Sequence, residues 1–360
     1  MVSRCRGNDP QLTLRRRKSG SSSGLKMTRC MQPSLDSVEL VGLEKIVFKN
    51  ERTLVARKLP KGPTLELSRY IELTPELAWA IGFFLAEGSK TYSGIGVANC
   101  DADLVLKFRK TIDGTFEGFA EKWRAYIKTS DNDSEGVKKR WMERLGMCNV
   151  NVNFASLARR DNVELRLNNT FFSVIFNTLA KKAMRAIQLD RELMLKFLDG
   201  YEVGDGSIIQ RNGYLYGIVI TVKDTTIKDY LVETFKLTYG QVPSVRRTKG
   251  CYEVQFKGVH IMTQMIVDGH FRSSKKQWNK LLSCYLNKEY ARSHVRYWTA
   301  LSGGPLGIMD IAGLTERSHW SVRDAMNKDV KYGLATLERR HVKGSAAPYF
   351  NFYDLTERGR

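Results

Sequence analysis

Residues 80–89 read AIGFFLAEGS and residues 198–207 read LDGYEVGDGS. Aligned without a gap, they pair Gly82 with Gly200, Glu87 with Asp205, Gly88 with Gly206 and Ser89 with Ser207, at an offset of 118 residues. Each stretch ends a helix. Thr74-Pro75-Glu76 supplies a capping hydroxyl, a proline at the first helical position and a first-turn acid, so a helix is expected to run to Glu87 and stop at Gly88. Asp190 caps its counterpart, which is expected to end at Asp205. The first helix is apolar almost all round, from Leu77 to Ala86, and such a helix is buried on more than one side.

The similarity continues downstream. Gly94–Val97 resembles the strand Gly217–Val222, and Asp101 and Asp224 then open two further helices. Later strands are expected at 123–129 and 163–167 in the first unit, closed by a helix over 170–184. In the second they are expected at 244–248 and 252–256, closed by a helix over 259–267. The chain therefore carries an internal duplication, each unit reading helix, strands, helix, strands, helix. Residues 130–162 read as a polar insertion in the first unit.

Small residues at Gly82 and Gly200, with Ala86 and Gly204 near the helix ends, let two helices approach backbone to backbone. A carboxylate in the last turn faces the negative end of the helix dipole, at a cost of ~0.3–1 kcal/mol. Packing the helices together also brings Glu87 toward Asp205, where like charges repel. Stability alone does not place acids there twice. Bound divalent cations reverse both penalties, because carboxylates and nearby carbonyls are hard oxygen ligands. Metal ions on two carboxylates beside a basic surface suit phosphodiester hydrolysis.

These residues resemble the LAGLIDADG homing endonuclease family, over roughly residues 66–285. The resemblance implies an α+β fold of two pseudo-symmetric αββαββα units that meet at the motif helices and form a DNA-binding saddle. It implies hydrolysis of double-stranded DNA at a long asymmetric site, dependent on Mg²⁺ or Mn²⁺. It also implies that Glu87 and Asp205, with the carbonyls of Ala86 and Gly204, hold the metal. Glu87 replaces the more usual Asp, a variation the family tolerates. Members also use a basic residue near the metals; Lys223 is the candidate, with Lys128, Lys249 and Lys257 as rivals. The chain closes without a splicing-type His-Asn pair, so a free-standing enzyme is expected.

The strand residues Gln210, Arg211, Asn212, Tyr214 and Tyr216, with Arg246, Arg247 and Lys249, suit DNA reading, since Arg, Gln and Asn pair bidentately with base edges. Residues 289–360 resemble a winged helix-turn-helix domain, with His319, Trp320, Arg323, Asn327 and Lys328 on the second helix of the motif and Arg339, Arg340 and Lys343 on the wing. Other functions remain open at this level. One is a catalytically silent DNA-binding regulator of the WhiA kind, and another is an RNA maturase.

Composition agrees with an anionic partner. Of 360 residues, 58 are Lys or Arg and 38 Asp or Glu, a formal charge of +20. Residues 1–34 form a basic, Ser/Gly-rich tail, expected to be disordered, and 35–65 a small β extension or linker. The units are then drawn at 66–187, 188–288 and 289–360. Six scattered cysteines without a C-x-x-C pair argue against zinc sites and disulfides. No stretch approaches the ~18 apolar residues of a membrane span. The expected protein is a monomer on double-stranded DNA with no membrane partner, cytoplasmic at the nucleoid, with an organellar location also open.

Overall fold

A computed structural model describes residues 45–50, 53–57, 64–68, 70–89, 94–287, 289–341 and 349–359. The basic tail, the Pro60–Pro63 link and Lys343 lie outside the described residues. The structure is a mixed α+β arrangement of helices against largely antiparallel sheets. No described helix is long and apolar enough to cross a membrane.

A three-stranded antiparallel sheet of β1 (Lys45–Asn50), β2 (Thr53–Arg57) and β3 (Thr64–Ser68) precedes the first motif helix. That helix, α1 (Pro75–Glu87), is capped by Thr74, whose hydroxyl accepts from Leu77 N–H. After it come β4 (Gly88–Ser89), β5 (Ile95–Asn99), α2 (Ala102–Thr115), β6 (Trp123–Thr129), α3 (Ser134–Leu145), β7 (Val150–Phe154), β8 (Asn162–Leu167) and α4 (Thr170–Ile187). The second set is α5 (Arg191–Asp205), β9 (Gly206–Arg211), β10 (Tyr214–Val222), α6 (Thr225–Tyr239), β11 (Ser244–Thr248), β12 (Cys251–Lys257) and α7 (Val259–Val267). Asp101, Asp190 and Asp224 cap α2, α5 and α6 through their carboxylates, as their positions before apolar runs imply.

The sheets order as β4-β5-β8-β6-β7 and β9-β10-β12-β11. Strand for strand these are the same order, with β7 added at the outer edge of the first. The segment expected to be a polar insertion is thus structured. Asp133 caps α3, Gly146 ends it at φ +58°, and Val137, Trp141 and Leu145 are buried. This helix carries the chain back so that β7 pairs parallel to β6. Within the described residues, sheet alternation is clear on β6, where Trp123, Ala125, Ile127 and Thr129 point inward while Arg124 and Lys128 stay exposed.

A single apolar core runs through both halves, from Leu65 to Tyr285, with α1 buried from Leu77 to Phe84. Helix α8 (Lys275–Leu286) leads from it into α9 (Glu289–Leu301), β13 (Leu306–Gly307), α10 (Ile308–Thr315), α11 (His319–Lys331), β14 (Ala335–His341) and β15 (Tyr349–Leu355). These last elements close around a separate core that includes Tyr297, Leu301, Ile311, Val322, Met326 and Tyr353. Their strands order as β13-β15-β14.

Candidate metal centre and nucleic-acid interface

Helices α1 and α5 meet at their glycines. A Cβ on Gly82 would lie 2.1 Å from the Phe197 carbonyl oxygen, and one on Gly200 would lie 2.1 Å from that of Trp79. The further neighbours are the amide nitrogens of Tyr201 and Phe83. Moving 118 residues along the chain converts one set of contacts into the other, so the two helices present the same surface to each other. Lower down, a Cβ on Gly204 would meet Ala86 Cβ at 2.7 Å and Glu87 Cγ at 2.8 Å. Both helices then stop in the same way. The N–H groups of Gly88 and Gly206 bond back to the Phe84 and Glu202 carbonyls, and the chain passes directly into β4 and β9.

This packing delivers Glu87 and Asp205 to the same junction, each half-buried. Burial is the larger cause of the rise in the Glu87 pKa to about 7; the nearby Asp205 charge adds to it, and the Asn99 amide opposes it. Burial also raises Asp205 to about 6, against the pull of the Lys223 ammonium. Asn99 Nδ2 donates to Glu87 Oε1 at 2.8 Å, while its Oδ1 accepts the N–H of Asp101 at 2.8 Å. Asn99 carries no motif signature. Its one sequence signal is its place at the end of β5, two residues before a helix cap.

Helix α5 carries two further acids near Asp205, and the structure separates them from the junction. Glu202 is fully buried with both carboxylate oxygens 2.7 Å from His270 Nδ1, and His270 Nε2 lies 2.5 Å from the Tyr239 hydroxyl. Asp199 accepts from the Ser273 N–H and hydroxyl. Both are satisfied inside the protein, which leaves Asp205 as the acid of α5 facing Glu87.

Two carboxylates with raised pKa values suit a hard divalent cation, whose charge would favour their ionised forms. The carbonyls of Ala86 and Gly204 lie in the last turns, where helical carbonyls lack intrahelical donors and are available to a cation. Among the described residues no group of three or more His, Cys, Asp or Glu side chains converges, so carbonyl or water oxygens complete any such set. Lys223 is exposed at the end of β10, in Coulombic range of Asp205. The rivals sit elsewhere: Lys128 on β6, Lys249 at a hairpin tip, and Lys257 with its ammonium 5.5 Å from the Tyr216 ring. A cleft of about 580 Å³ opens beside Asn99 and Gly204 and is walled in part by Arg144, Arg160, Lys275 and Lys276. The four described cysteines, Cys100, Cys148, Cys251 and Cys284, are free thiols.

The strand residues named from sequence divide between two faces. Arg211, Tyr214 and Tyr216 are exposed together, with the Arg211 guanidinium 5.6 Å from the Tyr216 ring. Asn212 and Gly213, at φ +52° and +78°, form the tight turn between β9 and β10, and Lys249 and Gly250 do the same between β11 and β12. Arg246 lies opposite Glu253 on the face that carries Lys257. Two residues depart from the expected surface. Gln210 falls on the other side of β9 by strand alternation and donates to Cys284 on α8. Arg247 lies opposite Tyr252, one position out of phase with Arg246, and so projects from the opposite face of an exposed edge strand.

The first sheet has its own polar face, which sequence reading touched only at Lys128. Arg124 and Tyr126 precede it on β6, and Arg166 of β8 lies across from both Arg124 and Gly96. The Arg166 guanidinium stacks 4.8 Å from the Tyr126 ring and donates to Glu164 at 2.6 Å. The period-two alternation of residues 123–129 was the available signal.

On α11, His319, Trp320 and Arg323 are exposed, with Arg323 5.8 Å from the Trp320 ring. Asn327 and Lys328 are engaged within the protein: Asn327 Oδ1 accepts from the Tyr353 hydroxyl at 2.9 Å, and Lys328 pairs with Asp324 at 2.6 Å. Arg340 pairs with Glu338, and Arg339 is exposed.

No protein-family model matches this chain, and no curated protein matches it. Solved structures do show similarity. The full-length DUF199/WhiA protein from Thermatoga maritima aligns at 10% identity and TM-score 0.37, covering 72% of this chain and 91% of its own. I-DmoI in complex with DNA and calcium aligns at 11% identity and TM-score 0.35, over 54% of this chain and 91% of its own. The I-SmaMI LAGLIDADG homing endonuclease bound to cleaved DNA aligns at 15% and 0.33, over 68% and 96%.

Proposed function

We propose that this chain is a site-specific endonuclease of double-stranded DNA, of the LAGLIDADG homing type, that uses Mg²⁺ or Mn²⁺. The observation that carries the reading is the placing of Glu87 and Asp205 at corresponding last turns of two helices in backbone contact. The C-terminal end of a helix disfavours acids, and burial raises both pKa values, with the Asp205 charge adding to the rise at Glu87. A site that tolerates this twice is built for cations. A bound divalent ion supplies Lewis acidity toward the phosphodiester and lowers the pKa of attacking water.

The chain's own residues do the rest. Glu87, Asp205 and the carbonyls of Ala86 and Gly204 present hard oxygens, and Asn99 fixes the Glu87 carboxylate. Lys223 sets positive charge beside Asp205, where a phosphate would otherwise meet an acid alone. Related by a pseudo-two-fold between α1 and α5, the polar sheet faces form the two arms of a saddle on DNA. Both arms belong to one polypeptide, so a monomer suffices for an asymmetric site. The elements after α8 act as a winged helix-turn-helix, with Trp320 and Arg323 presented to the duplex. A DNA partner places the protein at the nucleoid or its organellar equivalent.

A second reading, a DNA-binding regulator on the same scaffold, draws on that exposed face of α11. One experiment separates the two. Duplexes selected from a randomised library are incubated with the protein in Ca²⁺ to score binding and in Mg²⁺ to score cutting. The nuclease reading expects cutting in Mg²⁺ that falls by more than about 100-fold in Glu87→Gln and in Asp205→Asn while binding persists. Binding without cutting in the unaltered protein would establish the regulator instead.

A further inference from the structure

The first sheet has a strand that the second lacks. Helix α3 returns the chain so that β7 lies parallel to β6 at the outer edge, while in the second sheet the corresponding strand β11 is itself the edge. The inner side of β7 is structural: Val150 is buried with Val137, Trp141 and Leu145 of α3, and Val152 packs against them. Its outer side is different. Asn151 lies beside Tyr126 and Asn153 beside Lys128 in the parallel register, and both asparagines are exposed. Among the described residues neither amide has a hydrogen-bond partner. The surroundings are basic. Arg124 and Lys128 share this face, and Arg159 and Arg160 follow in the connection to β8; none of the four has an acidic partner among the described residues. The nearest acid on the sheet, Glu164, is already held by Arg166 at 2.6 Å.

We infer that β7 is an additional DNA-reading strand, with Asn151 and Asn153 contacting base edges and Arg159 and Arg160, on the connection back to β8, contacting phosphates. The inference rests on the proposed function and specifies its substrate: the recognised site is longer on the side of the first unit. An added strand widens a sheet by about 4.8 Å, more than the ~3.4 Å rise of one base pair along a DNA strand. A side-chain amide can donate and accept at once, which fits the adenine edge in the major groove. Exposed arginines with free guanidinium groups suit phosphate oxygens and carry no sequence information of their own.

Two full-length variants test this on a randomised duplex library in Ca²⁺. For Asn151→Ala with Asn153→Ala, the selected sites are expected to lose preference at the outermost positions of one flank. Discrimination there falls about tenfold or more, with the centre and the other flank unchanged. For Arg159→Ala with Arg160→Ala, affinity is expected to fall evenly across sequences, with the slope of log K against log salt reduced by about 2. All four side chains are exposed, so the fold survives the changes. Selected sites identical to those of the unaltered protein in the asparagine variant would overturn the inference while leaving the nuclease reading in place. Failure of the unaltered protein to select any duplex would overturn both.

Discussion

Glu87 and Asp205 carry the proposed chemistry, and their environment makes two expectations concrete. Asn99 neutralises no charge, yet it aims the Glu87 carboxylate through one 2.8 Å hydrogen bond and is itself held by Asp101 N–H. Replacing Asn99 with Ala should weaken Mn²⁺ binding about 10- to 100-fold, as loss of a ligand's supporting hydrogen bond commonly does. Titration calorimetry on the otherwise intact protein reads this directly. The second concerns pH. Both carboxyls have pKa values in the folded protein above their ordinary ones, about 7 for Glu87 and about 6 for Asp205, so folding takes up protons between these values and the unfolded ones. Their contribution to metal-free stability is fully present below about pH 4 and is lost as pH rises through 6 and 7. Thermal melts in chelator should therefore show Tm declining over that window, and Glu87→Gln should flatten the decline. Melts in which Glu87→Gln follows the unaltered protein would contradict the assignment of a strained carboxyl pair.

Among the elements, α1 and α5 set the distance on which the site depends. Their contact has no room for a methyl group at Gly82 or Gly200, where a Cβ would press on a carbonyl oxygen that belongs to a rigid helix. Gly82→Ala or Gly200→Ala should destabilise the protein by about 1–3 kcal/mol in denaturant unfolding, in the way overpacking usually does. Cleavage should suffer more than stability does, because parting the helices parts Glu87 from Asp205. Retention of full cleavage in Gly82→Ala would show that helix separation does not control the site. Much at this scale was legible beforehand. Caps at Thr74, Asp101, Asp190 and Asp224 marked helix starts, and the aligned repeat implied that the two motif helices face each other. The segment 130–162, read as a polar insertion, does add α3 and β7 to the first unit, but its helix was not anticipated, although Asp133, Gly146 and the buried Val137, Trp141 and Leu145 carried the signal. Its polar composition masked a narrow apolar stripe.

For the molecule as a whole, charge and docking of the last elements matter most. Arg358, after β15, grips Asp268 with two hydrogen bonds of 2.9 and 2.6 Å, and Arg191 at the start of α5 shares the same carboxylate at 2.9 Å. The last elements are thus tied to the helix that ends in Asp205. Because Arg358 and Arg191 hold Asp268 in its charged form against burial, its pKa is lowered. With 20 surplus positive charges, binding to any duplex should fall steeply with salt. Trp320→Ala and Arg323→Ala should weaken binding, Arg323→Ala lowering the salt slope by about 1, yet leave the cutting rate at saturating DNA unchanged. Fluorescence anisotropy and single-turnover cleavage distinguish these effects. A loss of cutting rate would instead place α11 in the chemistry.

The duplicated motif, its caps, its glycines and the alternation of its strands are written in local spacing, because helix period, strand period and capping act over a few residues. They sufficed for the mixed α+β class and for the meeting of two helices that end in Glu87 and Asp205. Which side chains share a surface depends on register and on neighbours distant in sequence. Alternation set Gln210 apart from Arg211 and Arg247 apart from Arg246, and Tyr353 engaged Asn327. Asn99 reached Glu87, and β7 joined β6, only because the chain folded back and brought them together.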